Sequence, residues 1–207
     1  MKKYVTFWIL FFILFLLFVF PTTNYFSTGI PDFLQRTTTI SKFWFISHIV
    51  SGIFLYIIAP FQFSTYVRRK YLPKHRLLGK IFIILSFYCI CTLYLNIIPN
   101  GLCDSCRPSN YLVTTLWLLF IIAAYISIRQ KKVILHQRLM ISAFICAAYF
   151  VVVRVIDKTS MNFFKSISGN ESQAYLISDI ASWFIPLSII WTYWIIQNAK
   201  TSRAIVS

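Results

Sequence analysis

Acidic side chains are almost missing from this chain: five Asp and Glu stand against twenty Lys and Arg in 207 residues, and charged residues of both signs make up only 12%. So few polar side chains do not coat a water-facing surface, which excludes a soluble fold. Linkers are missing as well. No Ser/Gly-rich stretch, low-complexity tract or internal repeat divides the sequence, so residues 1–207 are expected to form a single domain. Apolar residues fill the space instead. They make up 58% of the chain, with 21 Phe, 12 Tyr and 6 Trp, against roughly 45–50% with glycine included in an average soluble domain. This is the composition of an integral membrane protein, and it leaves no room for a soluble catalytic domain.

The apolar residues gather in six runs, at 4–20, 43–63, 77–98, 111–128, 139–156 and 175–196. Each has the length that crosses a bilayer as a helix. The expected fold is therefore all-α, with six transmembrane helices in one bundle. The first run follows Lys2 and Lys3 as a secretory signal would, yet it is longer than a signal core. Pro21-Thr22-Thr23-Asn24-Tyr25 also offers no small-x-small cleavage site, so an uncut helix is the preferred reading. Pro60 and Pro186 fall inside the second and sixth runs, where each removes a backbone donor and is expected to kink its helix. Pro73 suits the first turn of the third helix.

The net charge of +15 would fit nucleic acid or a membrane surface, and position decides between them. With a cytoplasmic N-terminus, one side collects Lys2, Lys3, Arg68, Arg69, Lys70, Lys74, Arg76, Lys80, Arg129, Lys131, Lys132, Arg138, Lys200 and Arg203. The other collects Arg36, Lys42, Arg107, Lys158 and Lys165. Fourteen against five predicts that both termini are cytoplasmic, and the basic ends of the helices are placed to meet anionic headgroups of the bilayer. Asp32, Asp104, Asp157 and Glu171 fall in the outer loops of this arrangement. With no soluble basic face, nucleic-acid binding is not expected.

Five cysteines form two groups. Cys89, Cys91 and Cys146 lie inside apolar runs and read as small buried fillers. Cys103-Asp-Ser-Cys106 lies in the outer loop between the third and fourth runs, where disulfides are permitted, and a local structural disulfide is the first reading. Thiol exchange ranks below it, because motifs of that kind usually stand at a helix N-terminus that lowers the thiol pKa. Metal binding ranks lower still, since two thiolates leave a tetrahedral site half filled. No metal site is expected.

The three histidines fall in two layers. His75, in the first turn of the third helix, and His136, at the entry to the fifth, share the cytoplasmic edge. His48 stands 15 residues before Phe63, roughly 22 Å from that edge at 1.5 Å per residue. His136, Met140, Ala143, Ala147 and Arg154 are expected on one inward face, because 18 residues make five turns. The spacing stacks His75 over Gly79 and His48 over Gly52 in the same way. Two charges sit inside spans, Arg154 near the outer end of the fifth helix and Asp179 one turn into the sixth, and these are expected to pair. With His48 they form a candidate outer polar cluster.

At these residues the chain resembles a family of bacterial predicted membrane proteins, domain of unknown function 2306. The matching elements are His48-x-x-x-Gly52, Pro60-x-Gln62-Phe63, the basic stretch at Arg68 and Arg69, His75-Arg76-x-x-Gly79, Trp117, His136-Gln-Arg138-Leu-Met140 and Arg154. A Trp commonly precedes the Met in that family, where Leu139 stands here, and the Cys103/Cys106 motif is not part of its pattern. The resemblance covers the second to fifth helices and implies a bacterial cytoplasmic membrane. It marks Gly52, Gln62, Arg76, Gly79 and Met140 beside the histidines and Arg154, and it implies no particular chemistry.

Three functions compete on the residues themselves. The first is electron transfer, with His75 and His136 as axial ligands of one b-type haem at the cytoplasmic side; three histidines allow one bis-histidine site and leave His48 outside it. The second is a small-molecule or ion transporter using the outer His48/Arg154/Asp179 cluster, against which stands the lack of an inverted repeat. The third is a membrane assembly or sensing protein with no chemistry of its own. An enzyme acting on a lipid headgroup through His75, Arg76 and His136 ranks last, because no acid on that side orients a histidine.

Overall fold

The computed structural model describes residues 9, 11–13, 15–17, 19–20, 23, 29–30, 38–101 and 103–206, with side chains as far as Ala199. In lipid every backbone N–H and C=O has to be satisfied within its own segment, and the apolar runs meet that demand as helices. These are α1 (Thr39–Phe63), α2 (Thr65–Lys70), α3 (Leu72–Thr92), α4 (Arg107–Arg129), α5 (Val133–Thr159), α6 (Met161–Ser168) and α7 (Glu171–Val206). A π-helical turn, Leu93–Ile97, extends α3. Among the described residues none lies in a strand. Five helices are long and apolar enough to cross a membrane: Thr39–Phe63, Leu72–Ile97, Arg107–Arg129, Val133–Thr159 and Glu171–Ala199.

The expected first span, 4–20, lies partly outside the described residues, as do Lys2, Lys3, Asp32 and Arg36. Its described positions from Ile9 to Phe20 are helical. Phe11 stacks on Tyr56 of α1 at 5.0 Å between centroids and reaches Phe144 of α5 at 5.9 Å. Phe15, one turn on, stacks on the same Tyr56.

Each spanning helix begins before its apolar run, because polar residues continue the hydrogen-bonded turns past the hydrocarbon edge. Thr38 Oγ1 caps α1 by accepting from Ser41 N at 3.2 Å. Ser64 ends α1, its N–H donating to the Pro60 carbonyl, and then caps α2 through Oγ. The short basic helix α2 and the α6 turn, neither of them expected, fill the connections. Gly169 closes α6 in the left-handed conformation, with φ of 66°.

In the packed core α4 lies along α5, α1 along α3, and α7 against α5. Phe82 and Leu93 from α3 and its extension, Trp117 and Ile121 from α4, Cys146 and Tyr149 from α5 and Trp183 from α7 meet there. Cys89 and Cys146 are buried among these groups, whereas Cys91 is exposed. The connections after α1 and α4 share one end of the bundle. Those after the π turn and after α5 share the other.

Candidate functional site

At the first end, the start of α3 is held by α1. Gln62 Nε2 donates to the His75 carbonyl at 3.1 Å. A Cβ on Gly79 would lie 3.4 Å from Gln62 Oε1, in van der Waals contact, so the amide packs directly over this glycine. Three residues of the Pro-x-Gln and His-Arg-x-x-Gly elements thus meet at one helix crossing. The His75 ring is half-buried, and its Nδ1 is buried with no hydrogen-bond partner. Arg76 is exposed beside it.

His136, in the first turn of α5, sits across the α4–α5 connection. Its Nδ1 is 2.9 Å from the Ala124 carbonyl, and a carbonyl only accepts, so Nδ1 carries a proton, which in the neutral ring leaves the lone pair on Nε2. Met140, one turn beyond His136, packs against the core. Arg138 donates to Asn198 Oδ1 at 2.9 Å and lies 5.5 Å from the Trp194 ring, fastening α5 to α7. Lys131, Lys132 and Arg138 line a pocket on this surface.

His48 lies in another layer, as its distance from Phe63 predicts. Its Nδ1 is 2.7 Å from Thr92 Oγ1, and the Thr92 hydroxyl donates to the Cys89 carbonyl, so His48 is the donor to threonine. Beside it the Tyr88 hydroxyl donates to Ser47 at 2.6 Å. These bonds join α1 to α3 just before the π turn. Gly52 has open space where its Cβ would be, so it is not a point of close helix approach.

The expected outer cluster does not assemble as drawn. Arg154 pairs with Asp157, three residues on in its own helix, at 3.8 Å, and its side chain is 70% exposed. Asp179 is 4% exposed and meets Tyr149, whose hydroxyl is hydrogen-bonded to its Oδ1. The same hydroxyl is 2.9 Å from Asn110 Oδ1, and Asn110 Nδ2 donates to the Cys106 carbonyl at 2.9 Å. Trp183 Nε1 donates to Ser109 Oγ, whose hydroxyl in turn neighbours the buried Asp179 carboxyl. His48, bonded to Thr92, is no member of this network.

The reason lies in which face of α5 is buried. Its buried residues are Leu139, Ser142, Ala143, Cys146, Tyr149, Val151 and Val153, and at about 100° per residue their common face lies roughly 80° round the helix from the line through His136 and Arg154. Tyr149, Asn110 and Ser109 were missed as site residues. The only signal for them was a few polar side chains scattered among apolar neighbours.

Cys103 and Cys106 form a disulfide, with Cα atoms 5.3 Å apart. Among the described residues no group of three or more His, Cys, Asp or Glu converges as a metal site.

Taken together, these features define a multi-pass helical membrane protein with polar networks buried between its helices. The chain belongs to the family described as "Predicted membrane protein (DUF2306)", which matches residues 45–195. No curated protein and no solved structure matches it. The matched region holds His48, His75, His136, Arg154 and Asp179.

Proposed function

We propose that the protein carries electrons in the membrane and that His75 and His136 would hold one b-type haem at the basic end of the bundle. The observation that carries this reading is the bond from His136 Nδ1–H to the Ala124 carbonyl. A backbone carbonyl on Nδ1 orients a ligating imidazole, fixes its tautomer and leaves Nε2 to bind the metal. His75 offers a second half-buried ring with an unpartnered buried nitrogen, so the donor set fits the group. Bound there, haem would supply one-electron chemistry. Gln62 and Gly79 would position His75 through the α1–α3 crossing.

This reading takes the membrane to be a bacterial cytoplasmic one, crossed six times with both termini inside. Lys131, Lys132 and Arg138 would then face anionic headgroups.

Spectra of the purified protein, oxidised and then reduced, test the proposal. A low-spin b-type spectrum is expected, lost in His75→Ala and in His136→Ala and retained in His48→Ala. A colourless protein that also fails to take up added haemin would overturn it.

A second reading, as a binder or carrier of a small molecule or ion, has one observation in its favour: the carboxyl of Asp179 buried in the bundle interior. Solute uptake into vesicles that is abolished by Asp179→Asn would support it over the first.

A further inference from the structure

We propose that the Cys103–Cys106 disulfide is a redox-active site that exchanges with thiols of a partner protein, independently of any haem. The bridge stands where exchange chemistry is favoured. Cys106 is the N-cap residue of α4, a helix of 23 residues, and its side chain makes no capping hydrogen bond. The two sulfurs are unequal, for Cys106 is 4% exposed whereas Cys103 is half-exposed. An incoming thiolate therefore reaches Cys103 first, and the sulfur that leaves is the one at the helix N-terminus, where the dipole stabilises negative charge.

As a staple the bridge has little to hold. It spans a sequence separation of three, and closing so short a loop restricts the unfolded chain least. The same turn is already fastened by Cys106 N–H on the Cys103 carbonyl, by Arg107 N–H on the Asp104 carbonyl and by the Asp104–Arg107 ion pair at 2.8 Å. Ser105 Oγ lies 3.3 Å from Cys103 Sγ and donates to the Ser172 carbonyl, so the loop stays docked on the start of α7 whichever state the sulfurs adopt.

The exchange balances as two displacements. A partner thiolate attacks Cys103 Sγ, the Cys103–Cys106 bond breaks, and Cys106 Sγ leaves with the electron pair. The partner's second thiolate then attacks its own sulfur in the mixed disulfide and releases Cys103. The partner dithiol is oxidised to a disulfide, and the loop gains two electrons and takes two protons from water. A partner disulfide drives the same steps in reverse.

Purified full-length protein is equilibrated with reduced and oxidised glutathione over a range of ratios, quenched with acid and labelled with a maleimide polymer. A Cys103→Ser/Cys106→Ser double variant sets the baseline for the other three cysteines. The expected result is reversible conversion, with a two-thiol shift that follows the ratio in the folded protein. A bridge that stays oxidised at every ratio and opens only under denaturing reductant is a structural staple and overturns the proposal, since structural disulfides resist the glutathione pool. In single variants, Cys106→Ser should trap glutathione on Cys103 at least about tenfold faster than Cys103→Ser traps it on the buried Cys106, because access outweighs the greater thiolate character at the helix N-terminus. Equal trapping would overturn the assigned order of attack. The wild-type measurement decides the main point even if neither single variant folds.

Discussion

Tyr149, and not Arg154, is the side chain of α5 that meets Asp179: its hydroxyl is hydrogen-bonded to Oδ1 of that buried carboxyl. The phenol has one proton and faces two acceptor oxygens, the second being Asn110 Oδ1 at 2.9 Å. An amide in place of the carboxyl would add the donor that this group of three lacks. Asp179→Asn is therefore expected to be at least as stable as the wild type, whereas Tyr149→Phe should cost about 1–3 kcal/mol, the range for leaving a buried polar group unsatisfied. Thermal unfolding in detergent checks the order. A stable Tyr149→Phe beside an unstable Asp179→Asn would show that the phenol is not what holds the acid.

Arg154 should matter much less to folding. Its ion pair with Asp157 is long, and the guanidinium is mostly exposed, conditions under which a pair contributes about 0–1 kcal/mol. Arg154→Gln is expected to leave folded yield nearly unchanged, and Arg154→Gln combined with Tyr149→Phe should be additive within about 0.5 kcal/mol. A coupling well above that value would place Arg154 back in the Asp179 network.

The α1–α3 crossing gives a graded test. Gly79→Ala brings a methyl only to van der Waals distance of Gln62 Oε1 and should be tolerated, whereas Gly79→Leu has to displace the amide. Gln62→Leu removes its bond to the His75 carbonyl at a cost of about 1 kcal/mol. Both of the disruptive changes should also shift any haem spectrum by moving His75. Unchanged stability and spectrum in Gly79→Leu would mean that the crossing does not position the histidine.

Topology is tested by reporter fusions. A fusion after Ser105 should report the outer compartment and one after Lys132 the cytoplasm, because of the steep division of basic residues between the two ends. The reverse assignment, or one compartment for both sites, defeats the proposed orientation.

Much of the architecture was legible in the amino-acid order. Long apolar runs in lipid have no alternative to helix, since an unsatisfied backbone group there costs several kcal/mol. Five such helices therefore appear where the runs at 43–63, 77–98, 111–128, 139–156 and 175–196 stand. The family was legible in the order and spacing of a few polar elements, all of them within residues 45–195 that the family matches. The spacing also separated His48 from His75 and His136, because rise per residue converts directly into depth.

What the order of residues left open was which side chain faces which, and that depends on small angles accumulated along packed helices. Five full turns align Arg154 with His136, but the face of α5 that packs is the one carrying Cys146, Tyr149 and Val153, so Tyr149 reaches Asp179 and Arg154 turns outward. Asn110 and Ser109 entered the buried network only because α4 lies along α5. Cys106 became the N-cap of α4 because that helix starts at Arg107, before its apolar run begins. Hydrophobicity decides that a helix forms and spans the bilayer. Helix phase, start and neighbours decide where its few polar groups meet, and these are settled only when the helices pack.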